Sequence, residues 1–529
     1  MRTRALLAAR ADNGENGAPS CANGWLLNDV LRKRWQRPDA VVVTDSGAVL
    51  NLQGPPVNAS SVAAAAAMAL NNGSDVNDGH GFPALADAIA QNLTTEAAVD
   101  TALTRSLTQL FRVGLFDQPS AAGTDWTQTI GIDAINSTAH QRAVHDAALQ
   151  AMVLLRNEPP AGAAAPLLPL APGAAKIAVV GPQAEARTGL MSDYATEQAC
   201  ADGSDSCVVS ITDGIRAANG GDGAAVTSAQ GVEVNSKKRD GIAAALAVAK
   251  AADVVVLALG IDKSVEGEGT DRPDITLPGL QSEFAERVLA LRKPTLLILT
   301  NGGTLAIDSL VPPTRDAKAA PGPAAIVEAF NPCTNGATAL GQLLFGQANR
   351  WGKLPVTIYP ASYAAEQDDA DFDMSAPPGR TYKYYGRGAS KPLWPFGFGL
   401  SLTTFEHSCA LAAPGSSGSS GSNDHTVECT VRNTGALDGD EVVLVYHAAG
   451  DDIRRSIGGA HPVPAKALVG FERVRVAAGG AERLRFVLSE DPALTLVNAT
   501  GDRHLYAGTH QLIFSRGHGA DIALNVTIG

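Results

Sequence analysis

The chain has 529 residues, of which 45% are hydrophobic and 18% charged, and its formal net charge is -13. A chain of this length exceeds what one hydrophobic core supports, so we expect two to four domains. The acidic balance argues against a nucleic-acid partner, because phosphates would repel the surface. We find no apolar run near the roughly 20 residues that cross a bilayer, so no membrane partner is expected.

Signals for the cellular compartment are weak. The amino-terminal patch is too short and interrupted for the apolar core of a signal peptide. Six cysteines are too scattered for a disulfide scaffold or a metal site, although Cys200–Cys207 and Cys409–Cys429 could pair. Six glycosylation sequons favour an extracellular or secretory location. They begin at Asn58, Asn72, Asn92, Asn136, Asn498 and Asn525.

Residues 1–120 contain one clear strand, 40–44, between helical stretches. The alanine-rich segment 61–70 predicts a helix, and so does 95–113, which opens on threonine and glutamate and closes at Gly114. We expect a linker over 121–147.

Residues 148–360 alternate apolar β-branched runs with alanine-rich helices, which indicates parallel crossovers and an α/β layer domain. Helices are expected over 241–252 and 281–291. The predicted buried strands are 176–181, 253–260, 294–300 and 324–329.

A second linker is expected over 361–404, followed by an all-β domain over 405–529. Period-two runs at 426–432, 441–446 and 482–488 alternate with Gly, Asn and Asp turns. The low-complexity loop APGSSGSSGSND marks the entry to this domain. We interpret 405–529 as a small β-sandwich.

At two places a predicted buried strand is followed directly by polar residues. Ligands of α/β sheets and barrels bind at the carboxyl ends of the strands, so these residues are candidates for a site. The first is AVVVTDSGAV, which would present Asp45 at a strand tip followed by small residues. Spacing alone leaves the commoner alternative open, that Asp45 caps a turn or the next helix.

The second place is the loop DKSVEGEGTDR after the strand 253–260. Its carboxylates are separated by glycines, and a solvated acidic loop is the commoner interpretation of such a pattern. Carboxylates on two domains would nevertheless suit glycoside hydrolysis, in which one attacks the sugar and the other protonates the leaving oxygen.

At these residues the chain resembles glycoside hydrolase family 3, in particular its β-xylosidase/α-L-arabinofuranosidase branch. The matching motifs run through nearly the whole chain in family order. They include NGAPSCANGWLLNDVLRKRW, AVVVTDSGAV, GSDVNDG, LFRVGLFD, KIAVVGP, SVEGEGTDR, LTNGG, GKLPVTIYP, PLWPFGFGLSLTTF and VRNTGALDGDEVVLVY.

The resemblance implies a multidomain α/β plus all-β fold. Its parts are a TIM-type (β/α)8 barrel, an α/β sandwich over 148–360 and a fibronectin type III-like domain over 405–529. It also implies a retaining mechanism, with Asp45 as the nucleophile and Glu266 as the general acid/base. Glu268, two residues away in a similar context, is the alternative to Glu266.

The segment ADNGENGAPSCAN resembles the family segment that ends barrel strand six. Residues 1–120 are therefore expected to hold only about strands six to eight, and strands one to five would be absent. Because those strands carry most groups that grip the sugar, the activity of the chain is open to question.

The leading functional hypothesis is release of single pentoses from xylan or arabinoxylan, as a xylan 1,4-β-xylosidase and/or an α-L-arabinofuranosidase. The alternatives are a β-glucosidase, or a truncated, non-catalytic homologue that only binds a glycan or a partner. The chemistry needs no metal or organic cofactor. The sugar and the oligomeric state are left open.

Overall fold

The computed structural model describes residues 7–9, 14–15, 17–117, 130–173, 175–194, 200, 202–220, 225–311, 322–368, 371, 373–386, 391–412 and 424–529. The chain divides into two compact units, Met1–Ala134 and Ile135–Gly529. Most of the predicted loop 413–424 lies outside the described residues. Within the described ranges, no helix is both long and apolar enough to span a bilayer.

The first unit contains parallel β segments of the kind a β/α barrel uses. Strand β1 (Leu7–Ala9) pairs in parallel with β4 (Val42–Thr44), and Val43 bridges in parallel to Val76 on the other side. A two-residue-per-strand hairpin, β2 (Gly14–Glu15) with β3 (Ala18–Pro19), lies between them in sequence. The predicted strand 40–44 is thus present, shortened to three residues.

Two helices of this unit begin at a residue whose side chain caps them. Ser61 accepts a hydrogen bond from the backbone of Ala64, and Thr95 accepts one from Ala98, so both predicted helices start as expected. The alanine face of α2 packs with Val49 and Leu52 in a small core. The helices are Trp25–Arg34 (π-helical), α1 (Ala48–Asn51), α2 (Val62–Asn71), α3 (Leu85–Ala90) and α4 (Glu96–Arg112).

The second unit begins with a six-stranded sheet of order β5-β10-β9-β8-β6-β7. All four predicted strands are present. The expectation of parallel pairing fails at one edge, where β5 runs antiparallel to β10. Neither β5 nor the short edge strand β7 was predicted. The strands are β5 (Val153–Asn157), β6 (Ile177–Val180), β7 (Val226–Ala229), β8 (Val254–Gly260), β9 (Thr295–Thr300) and β10 (Ala325–Glu328).

Helices cover both faces of this sheet, so its central strands are buried on both sides. Helices α5 (Thr138–Ala151), α6 (Ile211–Ala218) and α9 (Cys333–Leu344) cover one face. Helices α7 (Ile242–Ala251) and α8 (Gln281–Leu289) cover the other. Residues 138–147, predicted as linker, are therefore the start of a helix whose Leu149 reaches the core.

The carboxyl-terminal part is a sandwich of two antiparallel sheets, with strand orders β11-β12-β15 and β14-β13-β18-β19. The three predicted period-two runs lie within the strands Asp424–Asn433, Gly439–Ala449 and Ala481–Ser489. The predicted linker 361–404 includes two one-turn helices, α10 (Tyr363–Glu366) and α11 (Thr381–Tyr384).

The strands of this domain are β11 (Phe405–Leu411), β12 (Asp424–Asn433), β13 (Gly439–Ala449), β14 (Ala467–Val476), β15 (Ala481–Ser489), β16 (Leu496–Val497), β17 (Arg503–His504), β18 (Gly508–Ser515) and β19 (Ile522–Ile528). Two short helices, α12 (Asp451–Ile457) and α13 (Glu490–Ala493), connect them. Both candidate disulfides, Cys200–Cys207 and Cys409–Cys429, are formed.

Candidate active site

Asp45 is the first residue after strand β4. Val42 and Thr44 of the strand are almost fully buried, whereas the Asp45 side chain is half-buried. The backbone N–H of Ser46 donates a 2.8 Å hydrogen bond to Asp45 Oδ1. The carboxylate is therefore anchored at the carboxyl end of a parallel strand, the end at which barrel active sites lie.

Gly47, and not Asp45, is the N-cap residue of the following helix, whereas Asp45 lies at the start of the turn that precedes it. Helix α1 is preceded by Gly47, which has a φ of 75° and makes no side-chain cap hydrogen bond. The Asp45 backbone carbonyl accepts a 3.1 Å hydrogen bond from the Ala48 N–H. The nucleophilic role of its carboxylate stays a prediction.

The segment GSDVNDG closes around the same strand end. Thr44 Oγ1 accepts hydrogen bonds from Asn77 Nδ2 at 3.1 Å and from the Asp78 N–H at 3.3 Å. At Gly79, an added Cβ would lie 3.1 Å from the backbone nitrogen of Gly47. Small residues at both positions therefore let two loops meet beside Asp45.

A buried ion-pair network centred on Asp75 stabilises strand β4. Asp75 pairs with Arg32 at 2.6 Å and with Arg105 at 2.9 Å, and its own side chain is 1% exposed. Its Oδ2 also accepts the Val42 N–H at 2.9 Å. Sequence reasoning missed this carboxylate, because nothing in GSDVNDG distinguishes a buried aspartate from a turn aspartate.

Glu266 and Glu268 lie in the second unit, in the loop that follows the buried strand β8. The loop folds back on itself, with the Glu266 N–H donating to the Asp262 carbonyl at 3.2 Å. Glu268 is exposed, whereas the Glu266 side chain is only 28% exposed.

Both carboxylate oxygens of Glu266 are hydrogen-bonded. Arg272 Nε donates to Oε2 at 2.6 Å, and the Gly303 N–H donates to Oε1 at 2.5 Å. Arg272 is 10% exposed and also donates from Nη2 to the Thr304 carbonyl at 3.2 Å. The loop after β8 and the turn after β9 are thereby joined through the Glu266 carboxylate and Arg272.

The glycine pair of LTNGG provides the space for that carboxylate. A Cβ at Gly302 would lie 2.6 Å from Glu266 Oε1, and one at Gly303 would lie 2.6 Å from Oε2. Real Cβ atoms do not approach so closely, so a side chain at either position would displace Glu266. The two glycines, which carry no phosphate-loop pattern, are explained by this contact.

A cavity of about 290 Å3 opens beside the two glutamates, entirely within the second unit. Its walls include both glutamates, Asp193, Tyr194 and Asn331. Asp193 Oδ2 accepts the backbone N–H of Glu268 at 2.7 Å. The polar groups and the exposed tyrosine would suit a small polyhydroxylated ligand, and sequence reasoning did not identify Asp193, Tyr194 or Asn331.

A second buried carboxyl lies at the end of β10. Glu328 is fully buried, and its Oε1 accepts hydrogen bonds from Asn301 Nδ2 at 2.9 Å and the Phe330 N–H at 3.0 Å. Burial raises the pKa of Glu328 to about 7, against the lowering effect of these two donors. The charged residue inside the apolar run AAIVEA was a signal that the sequence analysis did not use.

Metal-binding chemistry finds no support in the described part of the chain. No group of three His, Cys, Asp or Glu side chains there is placed to hold a metal ion.

Comparison with known proteins identifies the domains. Residues 152–402 match the model of the glycosyl hydrolase family 3 C-terminal domain, and residues 441–516 match that of a fibronectin type III-like domain. Both matched ranges lie in the second unit.

The similar proteins are carbohydrate-active. A probable exo-1,4-beta-xylosidase of Aspergillus clavatus, bxlB, is 32% identical over 94% of this chain and 62% of its own length. A GH3 exo-beta-xylosidase, XlnD, solved with a xylobiose aziridine activity-based probe, superposes with a TM-score of 0.79 at 29% identity. The match covers 97% of this chain and 65% of that one.

A β-glucosidase from Erythrobacter marinus, EmGH1, has a TM-score of 0.77 at 29% identity, with 97% and 66% of the two chains covered. The chain thus spans about three fifths of the length of the curated relatives it matches.

Proposed function

We propose that the protein is a retaining, exo-acting glycoside hydrolase that releases pentoses from xylan or arabinoxylan, as a β-xylosidase and/or an α-L-arabinofuranosidase. Its similarity to a probable exo-1,4-beta-xylosidase over 94% of the chain supports xylose as the sugar that is released. The sequons at Asn58 and five further positions support a secreted, glycosylated protein.

In the proposed mechanism, Asp45 attacks the anomeric carbon while a carboxyl group of the 262–272 loop protonates the leaving oxygen. This breaks the glycosidic bond and leaves the sugar esterified to Asp45. Water, deprotonated by the same loop carboxylate, then attacks the anomeric carbon and releases Asp45. The sequence predicts Glu266 for the proton transfer, with Glu268 as the alternative.

The observation that carries the proposal is the placement of Asp45. It stands at the carboxyl end of a parallel strand, and the small residues Ser46, Gly47 and Ala48 follow it.

The test is hydrolysis of nitrophenyl β-xyloside, α-arabinofuranoside and β-glucoside by the full chain. Asp45→Asn should reduce the turnover number on the order of 10³-fold or more, because the covalent step is lost. Asp29→Asn is the matched control, since Asp29 is exposed and pairs with Lys33 on its own helix. Equal activity of Asp45→Asn and wild type would contradict the proposal.

A β-glucosidase is the second candidate, supported by the likeness to EmGH1. The same three substrates decide between the sugars, because the preferred one has the highest kcat/KM. A protein that binds xylobiose in calorimetry but hydrolyses none of the three would instead be the non-catalytic glycan binder.

A further inference from the structure

We propose that Glu328 is a protonated carboxylic acid whose Oε2–H donates to Asn301 Oδ1, and that loss of this proton opens the two turns that follow β9 and β10. Those turns border the cavity of about 290 Å3, through Gly302 after β9 and Asn331 after β10. The device lies entirely within the second unit and does not require the proposed glycosidase activity.

Three hydrogen bonds close a ring between the two turns. Asn301 Nδ2 donates to Glu328 Oε1 at 2.9 Å, and the Phe330 N–H donates to the same oxygen at 3.0 Å. The Asn301 N–H completes the ring by donating to the Phe330 carbonyl at 3.1 Å. Glu328 and Asn301 are both fully buried. The Glu328 carboxyl group therefore ties the two turns together.

The remaining oxygens of the two side chains identify the place of the proton. Glu328 Oε2 and Asn301 Oδ1 are buried, and neither has a hydrogen-bond partner among the described residues. If Glu328 were ionised, both atoms could only accept, and two buried acceptors would stay unpaired. A proton on Oε2 makes that atom a donor, and Asn301 Oδ1 belongs to the amide that is already bonded to this carboxyl. One proton thus satisfies both atoms, in a two-bond pair of carboxylic acid and amide.

Burial, and not a neighbouring charge, keeps Glu328 protonated. Burial raises the pKa of Glu328 to about 7, and the two hydrogen-bond donors oppose that rise. No charged side chain among the described residues is a cause of the shift. The residues beside Glu328 in register are apolar, Leu299 on β9 and Val153 on β5. The charged groups of the neighbouring turn, Glu266 and Arg272, are paired with each other at 2.6 Å.

Ionisation would replace the Oε2–H bond by two acceptors that face each other. The Asn301 amide would then turn away or admit water, and either movement releases its bond to Glu328. The Phe330 backbone has a φ of 52°, a left-handed conformation that costs free energy in a residue with a Cβ. Its N–H bond to Glu328 helps to hold that conformation. Both turns therefore loosen as the pH rises above the pKa of Glu328, and the cavity keeps its shape only while Glu328 is neutral.

Infrared spectroscopy of the full chain detects the proton. A protonated carboxyl group has a C=O stretch above the amide I band, so the difference between wild type and Glu328→Gln should show one such band at pH 5.5 and none at pH 8.5. On an Asn301→Ala background the band should move to higher wavenumber, because the carboxyl has lost both hydrogen bonds to the amide. Absence of the band at pH 5.5, or an unshifted band in Asn301→Ala, would overturn the assignment.

Native-state hydrogen exchange measures the opening of the turns. After correction for the intrinsic rate, the Asn301 and Phe330 amides should exchange about tenfold faster per pH unit from pH 5.5 to about 7, which is about 30-fold in all. Low concentrations of urea should leave this exchange unchanged, because local opening exposes little surface, but should accelerate exchange in β8.

Glu328→Gln is the matched variant for this measurement, because its side-chain amide replaces the O–H donor and does not titrate. Its corrected exchange rates at both turns should not depend on pH. Turn amides whose exchange rises with urea in parallel with β8 would show global unfolding instead of local opening, and would overturn the proposal. A pH dependence that persists in Glu328→Gln would overturn it as well.

Discussion

Replacing Glu328 by glutamine should remove a loss of stability that the wild-type second unit suffers as the pH rises. Glu328 is fully buried at the end of β10, next to the turn that receives Glu266. Its pKa is raised from 4.5 to about 7 by burial. Glutamine has the same shape and keeps an acceptor for Asn301 and for the Phe330 N–H.

The direction follows from proton linkage. Between pH 4.5 and about 7 the unfolded chain releases the Glu328 proton while the folded chain keeps it, so the free energy of unfolding falls as the pH rises. At about 1.4 kcal/mol per pH unit, the loss at neutral pH and above is about 3 kcal/mol. For the second unit, Ile135–Gly529, an unfolding entropy of about 2.1 cal/mol/K per residue converts this loss to roughly 4 °C in melting temperature.

Differential scanning calorimetry of wild type and Glu328→Gln from pH 4.5 to 8 measures the effect. The two proteins should melt together at the acidic end, and the variant should become progressively more stable towards the alkaline end. Glu472→Gln, an exposed site of the same unit, is the control. A stability difference that does not grow with pH would refute the burial of a neutral carboxyl at this position.

Three further predictions concern other parts of the chain. Burial lowers the pKa of His447 to about 4, so its contribution to stability should fall by up to about 3 kcal/mol as the pH drops from 6.5. His447→Gln should flatten that acid limb in a thermal scan, and an unchanged slope would contradict it. Asp75→Asn should destabilise the first unit by about 3–5 kcal/mol, because it leaves Arg32 buried without its full counter-charge. Limited proteolysis within residues 17–117 should be faster in the variant than in the wild type. A variant that resists the protease as well as the wild type does would contradict a stabilising role of the ion-pair network. Gly303→Ala should displace Glu266 and Arg272, since its Cβ would lie 2.6 and 2.7 Å from them. Activity and melting temperature should then both fall, whereas an unaffected variant would show that the glycine pair is dispensable.

The elements that the sequence predicts well are those with strong local signals. The helix 61–70 is nearly pure alanine behind a serine cap, and the strand 253–260 is apolar throughout; both are found within one residue. Strand β5 was missed because its run, VLLRN, is short and joins the sheet only through a distant antiparallel partner. Helix α5 was taken for linker because its buried face carries few apolar residues.

In the candidate site, too, local sequence predicts some features, whereas others depend on residues that only the fold brings together. Asp45 follows from its position after an apolar strand and from the family motif around it. The different surroundings of Glu266 and Glu268 depend on Arg272, Gly303 and Asp193, the last of which is 73 or more residues away in sequence. Only the fold brings these groups to one loop, so no local pattern separates the two carboxylates.

Covalent trapping tests the central claim, that Asp45 is the nucleophile of a retaining glycosidase. The full chain is incubated with a 2-deoxy-2-fluoro-β-xyloside bearing a good leaving group, and the adduct is located by peptide mass spectrometry. We predict one fluoroxylosyl ester, on Asp45, that disappears in Asp45→Asn. An adduct on another residue, or hydrolysis that continues with no adduct on Asp45, would contradict the account.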